Sequence, residues 1–132
     1  MWKETIICVV IVIAIIVANV ITQNYTVESV KYLSEELGEL REDILNIENN
    51  ENMETQIKEK IDKTVNDWEK RHDKLAYYIE HDELEKVETN LTGMKSFIES
   101  KEYADSLSEL DKNIFILKHI EDKYAFNLQN IF

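Results

Sequence analysis

Apolar residues fill positions 6–18 without a break, and from Thr26 onward they recur every three or four residues. The first run is rich in Ile and Val. Extended over residues 5–21 it would measure about 25 Å as a helix, at ~1.5 Å per residue. That is the short end of a bilayer crossing, which takes about 17–25 residues. Trp2 and Tyr25 bracket the run, roughly 34 Å apart along a helix, as interfacial aromatic residues do.

The later pattern predicts a series of helices. Val30, Leu33, Leu37, Leu40, Ile44 and Ile47 form a heptad-like seam. Neither proline nor glycine divides it from the apolar run, which leaves two arrangements open: one long helix to about Ile47, or a junction loosened at Thr22–Asn24. Gly38 lies beside the seam, where close approach of another helix would explain a residue that weakens a helix interior. Asn46, Asn49, Asn50 and Asn52 predict the first reversal, because Asn favours caps and turns over helix interiors. A second seam follows on Met53, Ile57, Ile61, Val65, Trp68, His72, Leu75 and Ile79. Asp82 and Glu85 read as a capping box, which puts the second reversal at Glu80–Asp82. The third seam is Leu84, Val87, Leu91, Met94 and Phe97 or Ile98. Ser100 is expected to cap a fourth helix carrying Ala104, Leu107, Leu110, Ile114, Leu117 and His119 or Ile120. The apolar ending at Phe126, Leu128, Ile131 and Phe132 is expected to dock.

The expected architecture is all-α: an N-terminal transmembrane helix followed by an antiparallel bundle of three to four helices. Residues 1–25 form the anchor and residues 26–132 an extracytoplasmic acidic domain. The third and fourth helices are expected to cover the Val30–Ile47 seam only in part. The stripe left over would receive another membrane protein or a second copy of the chain.

Charge narrows the partners. The net charge of −12 lies entirely beyond the apolar run, since Lys3 and Glu4 cancel. Such a domain repels nucleic acid and anionic lipid headgroups. The apolar run reads as an uncleaved anchor. A cut after Ala18 or Asn19 would leave Ile16 or Val17 where a signal peptide needs a small residue. Lys3 stands on one side and Lys31 is the nearest base on the other, which tilts residues 22–132 outward across the cytoplasmic membrane. The lone cysteine, Cys8, sits inside the run as a small hydrophobe, so no disulfide is available.

Chemistry-bearing clusters are few. His81 stands among Glu80, Asp82, Glu83 and Glu85, and with His119 it could hold a divalent cation. It lacks the paired-histidine spacing of a zinc helix and the oxygen ladder of a calcium loop. His72 falls on a seam, where a hydrogen-bonded half-core role is expected. No nucleophile triad, phosphate loop or convergent carboxylate pair is visible. No catalytic, cofactor-binding or metal-binding residue is assigned, and no cofactor is expected.

Trp68, the turn Ile79-Glu80-His81-Asp82-Glu83-Leu84, the helix end Leu117-Lys118-His119-Ile120 and the terminus Asn127-Leu128-Gln129-Asn130-Ile131-Phe132 carry a resemblance. Together they resemble a family of small single-span helical proteins of spore-forming Gram-positive bacteria, known as a domain of unknown function. The family's usual second Trp of the central helix is replaced here. The resemblance implies an anchor and an external helical domain, and it supplies no activity. The expected function is therefore a membrane-anchored, non-catalytic accessory or interaction module, acting on another membrane protein or on itself. The alternative is a ligand-sensing or cation-binding bundle.

Overall fold

The computed structural model describes residues 1–47, 50 and 52–131, with the backbone alone for 126–131. Four helices make up the fold: α1 (Trp2–Leu45), α2 (Met53–Leu75), α3 (His81–Glu99) and α4 (Tyr103–Ile131). α1 packs on α2 and α4, and α3 packs on the same two, so the helices close into an antiparallel ring.

α1 is one unbroken helix of 44 residues, about 66 Å long at ~1.5 Å per residue. Its two halves differ. Every side chain from Met1 to Ala18 is exposed. From Gln23 onward the inward face is buried, and Val30, Leu33, Leu37, Leu40 and Ile44 are core residues. The expected partial coverage of this seam is therefore wrong. α4 is 29 residues long, which is enough to run beside the whole lower half of α1 and bury its stripe. Close approach of another helix does not explain Gly38 either. A Cβ placed there would meet nothing within 4 Å.

The reversals differ in detail from the sequence expectation. Asn46 ends α1, and Asn52 precedes α2 with its backbone N–H donating to Asn50 Oδ1. The first reversal thus falls where the asparagines put it, though Asn49 lies outside the described residues. The second reversal comes earlier than expected, at Ala76–Ile79, with Glu80 as N-cap of α3. Asp82 lies inside the first turn and makes no side-chain cap, so the capping box is absent. Ser100 closes α3 instead of opening α4, and its hydroxyl donates to the Ser96 carbonyl. Lys101 then takes a left-handed conformation, φ 61°. The N–H of Glu102 donates to the Phe97 carbonyl and that of Lys101 to Ile98. This is a Schellman ending with Lys in the position that glycine usually holds. The expected docking of Phe126, Leu128, Ile131 and Phe132 concerns side chains outside the described residues.

The core is continuous: Ile57, Ile61, Trp68 and Leu75 of α2 meet Leu84, Val87, Leu91, Met94 and Ile98 of α3 and the inner face of α4. Two seams depart in part from their expected lines. Along the α2 seam, Ile57, Ile61, Trp68, Leu75 and Ile79 are buried as expected, but Thr64 is buried while Val65 is only half-buried. In α4 the buried line is Ser106, Leu110, Asn113, Leu117, Ile120 and Tyr124. Ala104 and His119 are exposed, and Leu107 and Ile114 are half-buried.

Candidate functional site

The rotation of α4 creates the most distinctive surface of the bundle. Its core line repeats at alternating spacings of four and three, which keeps one stripe inward along the whole helix. The opposite stripe, Ala104, Ser108, Asp111 and Phe115, then faces outward. Phe115 is 76 % exposed, although a phenyl ring is ordinarily among the more buried side chains. Leu107 and Ile116 flank it. Together with Arg41 of α1 and Lys86 and Asn90 of α3, these residues line an open trough of about 900 Å³.

The trough combines an apolar floor with cations at its margins. Arg41 Nε donates to Asp111 Oδ1 at 2.9 Å, which ties α1 to α4 across one margin. That hydrogen bond to Asp111 raises the Arg41 pKa further, so the guanidinium keeps its charge. Lys112 pairs with Glu109 at 2.9 Å, and Lys86 adds a third cation. In a chain with 27 acids against 15 bases, such a grouping is unusual. Nothing in the trough resembles a nucleophile with its base. Its chemistry is that of contact: aromatic and aliphatic surface with fixed polar groups at the edge.

The other polar clusters join helices. Lys63 donates to Glu36 Oε1 at 3.0 Å, and that bond raises the lysine pKa. The Tyr32 hydroxyl donates to Asp67 at 3.4 Å, and Arg71 stacks 4.8 Å over the Tyr32 ring. Arg71 also donates to Ser29 Oγ at 2.9 Å. Asp62 and Lys95 meet at 2.9 Å, and His72 Nε2 lies 3.0 Å from Glu88 Oε1, both between α2 and α3. His72 thus has the half-core, hydrogen-bonded place expected of it. Lys60 pairs with Asp43 near the first reversal.

The histidine cluster is not assembled as a ligand set. His119 Nε2 lies 3.7 Å from Glu83 Oε1, while His81 is exposed at the start of α3. Lys123 reaches Glu80 at 2.7 Å and Glu83 at 4.0 Å. Its ammonium therefore lies where a bound cation would compete. The Glu80 carboxyl is held below its usual range, chiefly by the hydrogen bond from Lys123. Among the described residues no group of three or more potential metal ligands converges.

Sequence reasoning missed the trough because it set Ala104 and Leu107 inward. The signal was available. Leu110, Leu117, Ile120 and Tyr124 fit one strict stripe, and Phe115 is out of phase with it. Residues 20–131 match the model of a family described as a domain of unknown function, DUF4363. No curated protein and no solved structure matches the chain.

Proposed function

The chain belongs to the DUF4363 family, a domain of unknown function, and from that premise we infer that it is a membrane-anchored, non-catalytic interaction module. The observation that carries the reading is the division of α1. One continuous helix has an upper half whose side chains are all exposed and a lower half built into the bundle core. An apolar helix so exposed suits lipid rather than water. The lower half then makes the bundle a rigid extension of the span, held close to whatever shares the membrane with it. The bias of Lys3 against Lys31 favours a bundle outside the cytoplasmic membrane.

The partner is another membrane protein or a second copy of this chain. The surface it would use is the Phe115 trough, since the α1 stripe is covered by α4. A photo-reactive residue at position 115 of the full chain, expressed in cell membranes, should give one discrete cross-linked species. The same residue at Glu59, exposed on α2, should give none. Mass of the product separates a second copy from another protein. Equal cross-linking at both positions, or at neither, would remove the trough from the interface.

A further inference from the structure

We propose that the α2–α3 turn is a second membrane contact, with Tyr77 seated in the headgroup–acyl boundary of the bilayer that α1 crosses. The inference rests on the anchored reading of α1 and goes beyond it, because it fixes how the bundle stands on the membrane.

The register of α1 against α2 sets the height of the turn. Lys63 meets Glu36, Asp67 meets Tyr32, Arg71 meets Ser29 and Lys74 lies 5.4 Å from the Tyr25 ring centroid. Counted on from those pairs, Tyr77 comes level with Thr22, within about one helical turn (~5 Å) of Ile21, the end of the apolar run. α1 has no break between them, so this height is not adjustable by a hinge. α4 runs antiparallel to α1 toward the same end, and its Tyr124 hydroxyl donates to the Tyr78 carbonyl of the turn.

The side chain at that height suits a membrane. Tyr77 is 84 % exposed, the most exposed large apolar residue among the described residues of the bundle. Its neighbours Tyr78 and Ile79 turn inward, and the Tyr78 carbonyl accepts the Tyr124 hydroxyl, which holds the turn. Tyrosine presents an apolar ring and a polar tip, the combination enriched at membrane interfaces. Charge permits the approach. The half of the bundle far from Tyr77, residues 32–67 and 89–115, holds sixteen acids and seven bases. The near half, residues 22–31, 68–88 and 116–132, holds ten and seven. The repulsive charge thus sits away from the bilayer.

The test uses the full chain with Cys8→Ser, reconstituted in phosphatidylcholine vesicles, carrying one fluorophore-labelled cysteine at a time. The positions are Val12 in the run, Ala76 beside Tyr77 and Glu59 at the far end. Spin-labelled lipid should quench the Val12 and Ala76 labels, the latter about twofold or more beyond the Glu59 label. Adding Tyr77→Asp should lower quenching at Ala76 and leave Val12 unchanged. Quenching at Val12 with none at Ala76 beyond the Glu59 level overturns the second contact alone. No quenching at Val12 overturns the anchor and the contact with it. Insensitivity of the Ala76 label to Tyr77→Asp removes Tyr77 as the contact.

Discussion

Asn113 of α4 donates from Nδ2 to the carbonyl of Val87 in α3 at 3.2 Å, and both residues are fully buried. The bond joins two helices in mid-core, yet it satisfies only half of the amide. Asn113 Oδ1 is buried without a partner, and an orphaned buried acceptor costs about 1–3 kcal/mol. Asn113→Leu should therefore leave stability unchanged or raise it by about 1 kcal/mol, since Val87 keeps its helical hydrogen bond. Asn113→Asp should lower it by about 3 kcal/mol or more at neutral pH, because an unpaired carboxylate would be buried. Denaturant unfolding of the two variants in detergent checks the order, Leu above wild type above Asp.

Backbone conformation supplies a second pair of variants. Gly38 sits mid-helix in α1 with open space around its missing Cβ. Gly38→Ala should raise stability by about 0.5–1 kcal/mol through helix propensity. Lys101 has the opposite mismatch, a side chain in the left-handed region. Lys101→Gly should gain about 1 kcal/mol from relief of that strain. Loss of the 3.3 Å pair with Glu54 offsets little of it, since exposed pairs are weak. Thermal melts of each variant and of the double variant check both gains and their additivity.

Much of this fold is legible in the apolar pattern, and the misreadings share one cause. The α1 seam was readable because Val30, Leu33, Leu37, Leu40 and Ile44 are all large and apolar. The α2 and α4 seams were readable only in part, because they also carry polar residues that satisfy themselves on nearby carbonyls. Thr64 donates to Lys60, Ser106 to Tyr103 and Asn113 to Val87. Such residues pass through a core unannounced by hydropathy. The Ala76–Ile79 turn and the Lys101 reversal contain no Gly, Pro or Asn, so the usual turn signals were missing. The trough is a consequence of the rotated α4 seam, and its misplacement follows from Ser106 and Asn113.

Stability should fall at both ends of the pH scale. Glu54 and Glu80 are held below the ordinary 4.5 by hydrogen bonds, from Lys58 and then Lys101 for the first and from Lys123 for the second. A carboxyl with a depressed folded pKa stabilises above its unfolded value and loses that contribution as pH falls through its folded value. On the alkaline side, burial raises Tyr124 above 10.0, and the neighbouring Glu36 carboxylate raises Tyr32. Above pH 10 the unfolded chain gives up phenol protons that the folded chain keeps, so stability declines there. Lys95 and Lys123, raised by Asp62 and Glu80, act in the same direction. Melting temperature against pH should show a plateau between about pH 5 and 10 with a fall on each side. Tyr124→Phe should lower the plateau, through loss of the hydrogen bond to Tyr78, and flatten the alkaline fall.

The division of α1 makes the sharpest prediction. If its lower half were an exposed stripe, a fragment of residues 50–132 would fold alone. The burial of Leu33, Leu37 and Leu40 requires the reverse. Removing α1 uncovers the inner faces of both α2 and α4, and three helices cannot close the ring. Residues 50–132 should retain helix by circular dichroism but unfold without a cooperative transition and bind hydrophobic dye. Single substitutions should show the same division along one helix. Leu37→Ala, fully buried, should cost about 2–5 kcal/mol. Ile11→Ala, 53 % exposed and outside the bundle, should leave the bundle's unfolding midpoint within about 0.5 kcal/mol of wild type. A cooperative transition in the 50–132 fragment, or equal costs for the two substitutions, would show that α1 is only attached to the bundle and is not part of its core.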